Sequence, residues 1–216
     1  MRVLALDSAT AACSALVWED GAVLAGRHAA MARGQSEALM PMVAEVMREA
    51  GLDFAGLDLL AVTVGPGAFT GIRIGLAAAR GLALATGLPL AGVATTRALA
   101  HAVPAAERRD RWVLVALDSK RDELWVQAFA ADLTPLGAPA ALRPEDAAGL
   151  AAGPAVAVGD AAFRVAPLLT DCLVSTASGP PDAAVVAALA AADHAAGTML
   201  PPLPLYLRPA DVTVTP

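Results

Sequence analysis

Residues 59–87 read LLAVTVGPGAFTGIRIGLAAARGLALATG, and the rest of the chain is arranged around them. A β-branched run, Val62-Thr63-Val64, stops at Gly65-Pro66-Gly67, and after Phe69 and Thr70 comes a long segment of good helix formers. That order predicts strand, tight loop and helix. Thr70 is expected to cap the helix, its hydroxyl accepting a first-turn amide, although Arg73 three residues on leaves no reciprocal capping box. Inside the helix Gly71, Gly75, Ala79, Ala83 and Gly87 recur every fourth residue and form a seam with almost no side chain. Glycine in a helix interior costs about 1 kcal/mol against alanine, so the seam calls for a backbone packed closely on it. Arg73 and Arg80 stand beside the seam and cut the apolar run short of a membrane span. A Walker loop needs Gly-Lys-Ser/Thr, and Gly65, Gly67 and Gly71 are spaced one residue too wide for the dinucleotide fingerprint. A turn with close helix packing therefore fits this loop better than a phosphate cradle.

Working outward, Val3–Leu6 reads as a buried strand ending at Asp7-Ser8. Cys13–Trp18 and Ala22–Arg27 follow as a hairpin about Glu19-Asp20-Gly21. Leu39, Met42, Val43, Val46 and Met47 mark one face of an amphipathic helix closed by Gly51, with Pro41 expected to kink or delay its first turn. Beyond the central helix, Leu90–Val93 is a short strand, and Thr95 or Thr96 is expected to cap a helix toward His101. The polar run PAAERRDR, residues 104–111, forms a junction.

The pattern then begins again. Leu4-Ala5-Leu6-Asp7-Ser8 returns as Val115-Ala116-Leu117-Asp118-Ser119, and each copy leads into a strand bearing a tryptophan, Trp18 or Trp125. This reads as an internal duplication. Residues 1–103 make one lobe and 112–198 the other, followed by an extended proline-rich tail over 199–216. In the second half, strands are expected over Glu123–Phe129 and Ala155–Val158, and Asp182 is expected to cap an alanine-rich helix running to about His194. A duplicated α/β fold has a cleft between its halves, where Asp7 and Asp118 could hold a metal-bound nucleotide or could each simply end a turn.

Composition sets limits on function. The 216 residues are 57% hydrophobic, enough for a sizeable core, and a net charge of −6 argues against electrostatic capture of nucleic acid by the isolated chain. Cys13 and Cys172 have neither metal nor redox spacing, which suits a reducing cytosol, and no segment has the length and purity of a membrane span. A soluble, cytoplasmic protein is expected. His28, His101 and His194 are isolated, and no Gly-x-Ser-x-Gly elbow occurs. The charged group Asp118, Lys120, Arg121, Asp122 and Glu123 reads as a turn between strands rather than an active site.

The segments MRVLALDSATAACSALVWEDG (1–21), GQSEALMPMVAEVMREAGL (34–52), VTVGPGAFTGIRIGLAAARGLALATGLPLAGV (62–93) and ALDSKRDELWVQAF (116–129), with the closing PLYLRP, together resemble the TsaB (YeaZ) family. The resemblance implies a two-lobed ASKHA fold, of the actin and Hsp70 kind. It also implies a non-catalytic partner of the paralogue TsaD in threonylcarbamoyl transfer to the adenosine beside the anticodon of tRNAs reading A-starting codons. On that reading ATP and a metal belong to partner subunits and none to this chain. A TsaE-like ATPase docks on the pair, and tRNA is met only through the complex. Self-pairing of the chain alone stays open. The implied pairing surface maps to Gly71, Arg73, Gly75, Ala79, Arg80 and Ala83 with Leu39, Met42, Val43, Val46 and Met47. Gln35 stands where the family usually has histidine. The competing expectation is an ASKHA-type ATPase or small-molecule kinase that uses Asp7, Asp118, magnesium and ATP.

Overall fold

In the computed structural model, which describes residues 1–208, the chain opens with β1 (Arg2–Asp7), β2 (Ala12–Glu19) and β3 (Ala22–Ala30). Asp20 and Gly21 both have positive φ, 47° and 98°, the backbone that a tight hairpin between twisted strands requires. After α1 (Gln35–Glu49) come β4 (Leu59–Gly65), α2 (Phe69–Thr86), β5 (Leu90–Ala94) and α3 (Thr95–Ala102). The strands form one sheet in the order β3-β2-β1-β4-β5, in which β1, β4 and β5 run parallel and the β1-β2-β3 pairings are antiparallel.

The second half repeats this plan. Its elements are β6 (Trp112–Asp118), β7 (Leu124–Phe129), β8 (Ala140–Leu142), α4 (Pro144–Ala148), β9 (Ala155–Val158), α5 (Ala162–Val165), β10 (Cys172–Val174) and α6 (Ala183–Ala196). The order β8-β7-β6-β9-β10 matches the first sheet strand for strand. Gly65, the last residue of β4, and Gly159, just after β9, share the left-handed backbone, φ 106° and 109°, so the two sheets end alike where a helix follows. The duplication expected from one five-residue match and a shared order of elements is therefore a duplication of topology.

Four apolar layers form the core, and the two inner ones join the halves. Leu39, Val43 and Val46 of α1 and Ile72 and Leu76 of α2 pack on Leu4, Leu6 and Val62. The opposite face of that sheet, with Val3, Ala5 and Ala61, is covered by Val186, Ala187 and Ala190 of α6, a helix from the other half of the chain. Conversely, α3 follows the first sheet but sends Leu99 and Ala100 against Val113, Val115 and Val156 of the second. The remaining face is closed by Ala147 of α4 with Ala162 and Val165 of α5. Arg97 of α3 and Asp193 of α6 join the two crossing helices by a bidentate ion pair of 2.5 and 2.9 Å.

Local details differ from the sequence expectations at three points. Thr70 does not cap α2; Ala68 occupies the cap position without a side-chain bond, and Thr70 lies in the first turn. Thr95 and Thr96 begin α3 rather than cap it, with Ala94 in the cap position, and Thr96 instead donates to Gln127 of β7 at 2.5 Å. Pro41 lies in the seventh position of α1, which already runs from Gln35, so it does not delay the start. Asp182 does cap α6, accepting from the Ala184 amide at 2.8 Å. Among the described residues no helix is long and apolar enough to cross a membrane.

Candidate functional site

The glycine seam of α2 explains the local geometry. Ser8, just past β1, donates its hydroxyl to the Gly71 carbonyl at 2.8 Å, and a Cβ on Gly71 would overlap the Ser8 carbonyl oxygen. A Cβ on Gly67 would overlap the Ala9 carbonyl in the same way, while the Ala68 amide donates to that carbonyl at 2.7 Å. A Cβ on Gly75 would stand 2.8 Å from the Ser8 hydroxyl. The close backbone that the seam called for is thus the chain's own β1–β2 turn.

Of the eleven residues expected on a pairing surface, Leu39, Val43, Val46, Met47, Gly71, Gly75 and Ala79 are buried inside the first lobe. Met42 and Ala83 are half-buried, and Arg73 and Arg80 are exposed. Phe69, Leu84 and Met40 add exposed apolar surface to these helices, Leu84 being 89% accessible.

A cleft of about 600 Å³ lies where the two lobes meet. The first lobe contributes the Ala9-Thr10-Ala11 turn, Gln35 and the Pro66–Phe69 loop, and the second contributes Asp118, Lys120, Trp125 and Asp160. Gln35 turns its amide to the Met31 carbonyl at 3.1 Å. A third wall comes from the segment Leu205 to Arg208.

The two carboxylates expected to face each other across the cleft have different fates. Asp7 is fully buried and does not line the cleft; Thr63 donates to its Oδ1 at 2.5 Å and the Ala9 amide at 3.2 Å, while Oδ2 has no partner. Burial pushes its carboxyl up to about 6, against the two hydrogen bonds that favour the ion. Asp118 does line the cleft and is paired with Lys120 at 2.7 Å and Arg164 at 3.7 Å. Burial alone would raise its carboxyl, but the Lys120 bonds and the Arg164 charge hold it below its usual value. The Asp118 amide donates to Asp160 at 2.8 Å. No cluster of three or more metal-ligating side chains occurs among the described residues. The charged run 118–123 is the expected turn, and its first part, Asp118 to Arg121, also lines the cleft.

Thr63 and Tyr206 were not read as site residues from the sequence. Thr63 was hidden inside a strand pattern, and Tyr206 is placed only by the path of the tail. From Leu200 the chain runs back over the first lobe: the Gly92 amide donates to the Leu200 carbonyl at 2.8 Å and the Leu205 amide to the Val64 carbonyl at 2.7 Å. The tail, expected to be extended and to lie on the body or on a partner, lies on the first lobe over residues 200–205; residues 209–216 are outside the described residues.

Two duplicated sheets, each followed by a helix that crosses to the other, with a cleft between them, define the class as the two-lobed ASKHA fold. The family model described as TsaD, tRNA N6-adenosine threonylcarbamoyltransferase, matches residues 29–196. The Escherichia coli tRNA threonylcarbamoyladenosine biosynthesis protein TsaB is 37% identical over 132 residues, which are 61% of this chain and 56% of that protein, so the match spans about half of this curated relative. An uncharacterized Mycobacterium bovis protein is 35% identical over 97% of this chain and 92% of its own length. The structure of YeaZ from Pseudomonas aeruginosa superposes with a TM-score of 0.80 at 29% identity, covering 95% of this chain and 99% of that one. The chain belongs to the TsaB/YeaZ family.

Proposed function

We infer that the chain is a non-catalytic partner in threonylcarbamoyladenosine biosynthesis, pairing with a TsaD-like transferase that modifies the adenosine beside the anticodon of tRNAs reading A-starting codons. ATP and the metal belong to the partner subunits, a TsaE-like ATPase joins the pair, and tRNA is engaged through the complex. The observation that carries this reading is the fate of Asp7. The first-strand carboxylate is sealed under the Ser8–Ala9 turn with no access to the cleft, and the second-lobe carboxylate, Asp118, is already neutralised by Lys120 and Arg164. The competing ATPase reading places magnesium on Asp7 and Asp118 together, and a carboxylate holds the ion only where it can reach the nucleotide. The outer faces of α1 and α2 are the docking surface, with Arg73, Arg80, Met42 and Ala83 at the contact. The buried residues Leu39, Val43, Val46, Met47, Gly71, Gly75 and Ala79 set the position of those helices from inside.

The test is co-purification with the TsaD-like paralogue of the same genome, followed by a tRNA threonylcarbamoylation assay with and without this chain. A stable complex on which modification depends is the expected result. ATP hydrolysis by the chain alone, lost in Asp7→Ala, would sink the reading.

A further inference from the structure

The only charged side chains of α2 are Arg73 and Arg80, so the helix carries two positive charges on a chain whose net charge is −6. Seven residues apart on one helix, they are separated by about 10 Å along its axis. Ala77 lies between them, and Leu84 projects one turn further on.

Both guanidinium groups are held by the segment 200–208, and both by neutral acceptors. Arg73 stacks 3.6 Å above the Phe69 ring and donates Nε to the Tyr206 hydroxyl at 2.9 Å. Tyr206 in turn packs on Phe69 with ring centroids 5.0 Å apart. Arg80 donates Nε to the Pro202 carbonyl at 3.0 Å and also gives it a bond from Nη2. No carboxylate pairs with either arginine among the described residues.

The segment that holds them has a built seat. A Cβ on Gly92 would stand 2.7 Å from the Pro201 carbonyl oxygen, and one on Gly65 would stand 2.9 Å from that of Leu205. Both glycines leave room for the strap to lie directly on the end of β4 and the middle of β5. The strap fixes rotamers that a free arginine would have to give up on binding, and it leaves further N–H donors of each fork facing solvent.

We propose that Arg73 and Arg80, pre-set by the 200–208 strap, are the anion-recognising pair of the α2 docking face, and that the partner protein presents two carboxylates about 10 Å apart to them. This rests on the docking reading above and adds the partner's chemistry. Carboxylates form stronger, charge-assisted bonds with guanidinium than the neutral acceptors now in place. A protein face fits better than a nucleic-acid backbone, because the exposed apolar Phe69 and Leu84 flank the arginines along the helix and the whole chain is acidic, with a pI near 5.0.

The test is a titration of the purified TsaD-like paralogue with wild-type chain, Arg73→Ala, Arg80→Ala, Arg80→Lys, Tyr206→Phe and Leu84→Asp, with melting curves confirming that each variant folds. Arg73→Ala and Arg80→Ala are expected to weaken binding at least fivefold, Arg80→Lys by less, and Tyr206→Phe by two- to threefold because it loosens Arg73. Arginine variants within twofold of wild type, while Leu84→Asp abolishes binding, would overturn the proposal and leave the docking reading standing. Tighter binding by Tyr206→Phe would overturn the pre-setting role of the strap. Wild-type chain that fails to bind the paralogue at all would overturn the docking reading and this proposal with it. Binding of unmodified tRNA that the arginine variants lose would assign the pair to phosphates and overturn the carboxylate partner.

Discussion

The two lobes share one strand order and have diverged in almost everything attached to it. In the first, β4 leads into the 18-residue α2, and 15-residue α1 lies beside it; in the second, the corresponding α5 and α4 have four and five residues. The first-lobe aspartate at the end of β1 is sealed in and short of partners, whereas its counterpart at the end of β6 reaches solvent and holds two cations. A duplicated sheet therefore keeps its topology while the helices decide what each half can do. Long helices give the first lobe a surface to offer, and short ones leave the second lobe a wall of the cleft.

The comparison breaks most sharply at the glycines. Gly71→Ala is expected to cost about 3 kcal/mol or more, because the new Cβ meets the Ser8 backbone carbonyl, which cannot move without unpairing the β1–β2 turn. Gly81→Ala in the same helix meets nothing within 4 Å and should gain up to about 1 kcal/mol. Chemical denaturation of both variants checks the pair, and equal effects would refute the seam's role. Next in size is the clasp between the lobes. Arg97→Ala leaves Asp193, whose side chain is 10% exposed, without its ion-pair partner, at about 2–3 kcal/mol, read as a lowered denaturation midpoint.

Asp7→Asn sharpens the contrast between the two aspartates through pH. A carboxyl whose folded value is raised to about 6 binds its proton more tightly in the folded chain. The wild type therefore gains stability as pH falls from above 6 toward 4, and lacks that gain at neutral pH. Asp7→Asn should gain on wild type by on the order of 2 kcal/mol at pH 7.5, keep about half of that advantage at pH 5 and lose it below about pH 4. A pH-independent difference would show that burial of the charge is not the cause. The smallest effect belongs to the second lobe: Lys120→Ala removes a partner that is 80% exposed, and melting should shift by less than the equivalent of about 0.5 kcal/mol.

Much of this was legible in the residues. The strand, Gly-Pro-Gly loop and helix of 59–87 followed from local propensity, and the Leu-Asp-Ser repeat disclosed the duplication, because both are properties of neighbours in the chain. The seam correctly called for a close backbone. Its identity was out of reach, since Ser8 and Gly71 lie 63 residues apart and either an internal or an external backbone would satisfy the same glycines. For the same reason, seven of the eleven residues expected at a partner surface are in the lobe's own core, and an amphipathic pattern cannot say what covers its apolar side.

The sequence by itself determined the elements of the first half, the duplication and the family, since periodicity, turn chemistry and motif order are local, while the short α5 and β10 of the second half carried no such signal. Only the tertiary structure decided that α3 and α6 exchange lobes, that Asp7 is sealed while Asp118 is open, and that the tail returns to grip Arg73 and Arg80. Those outcomes depend on which surfaces meet, and burial, pairing and the fate of a charge are set by contacts between residues far apart in the chain.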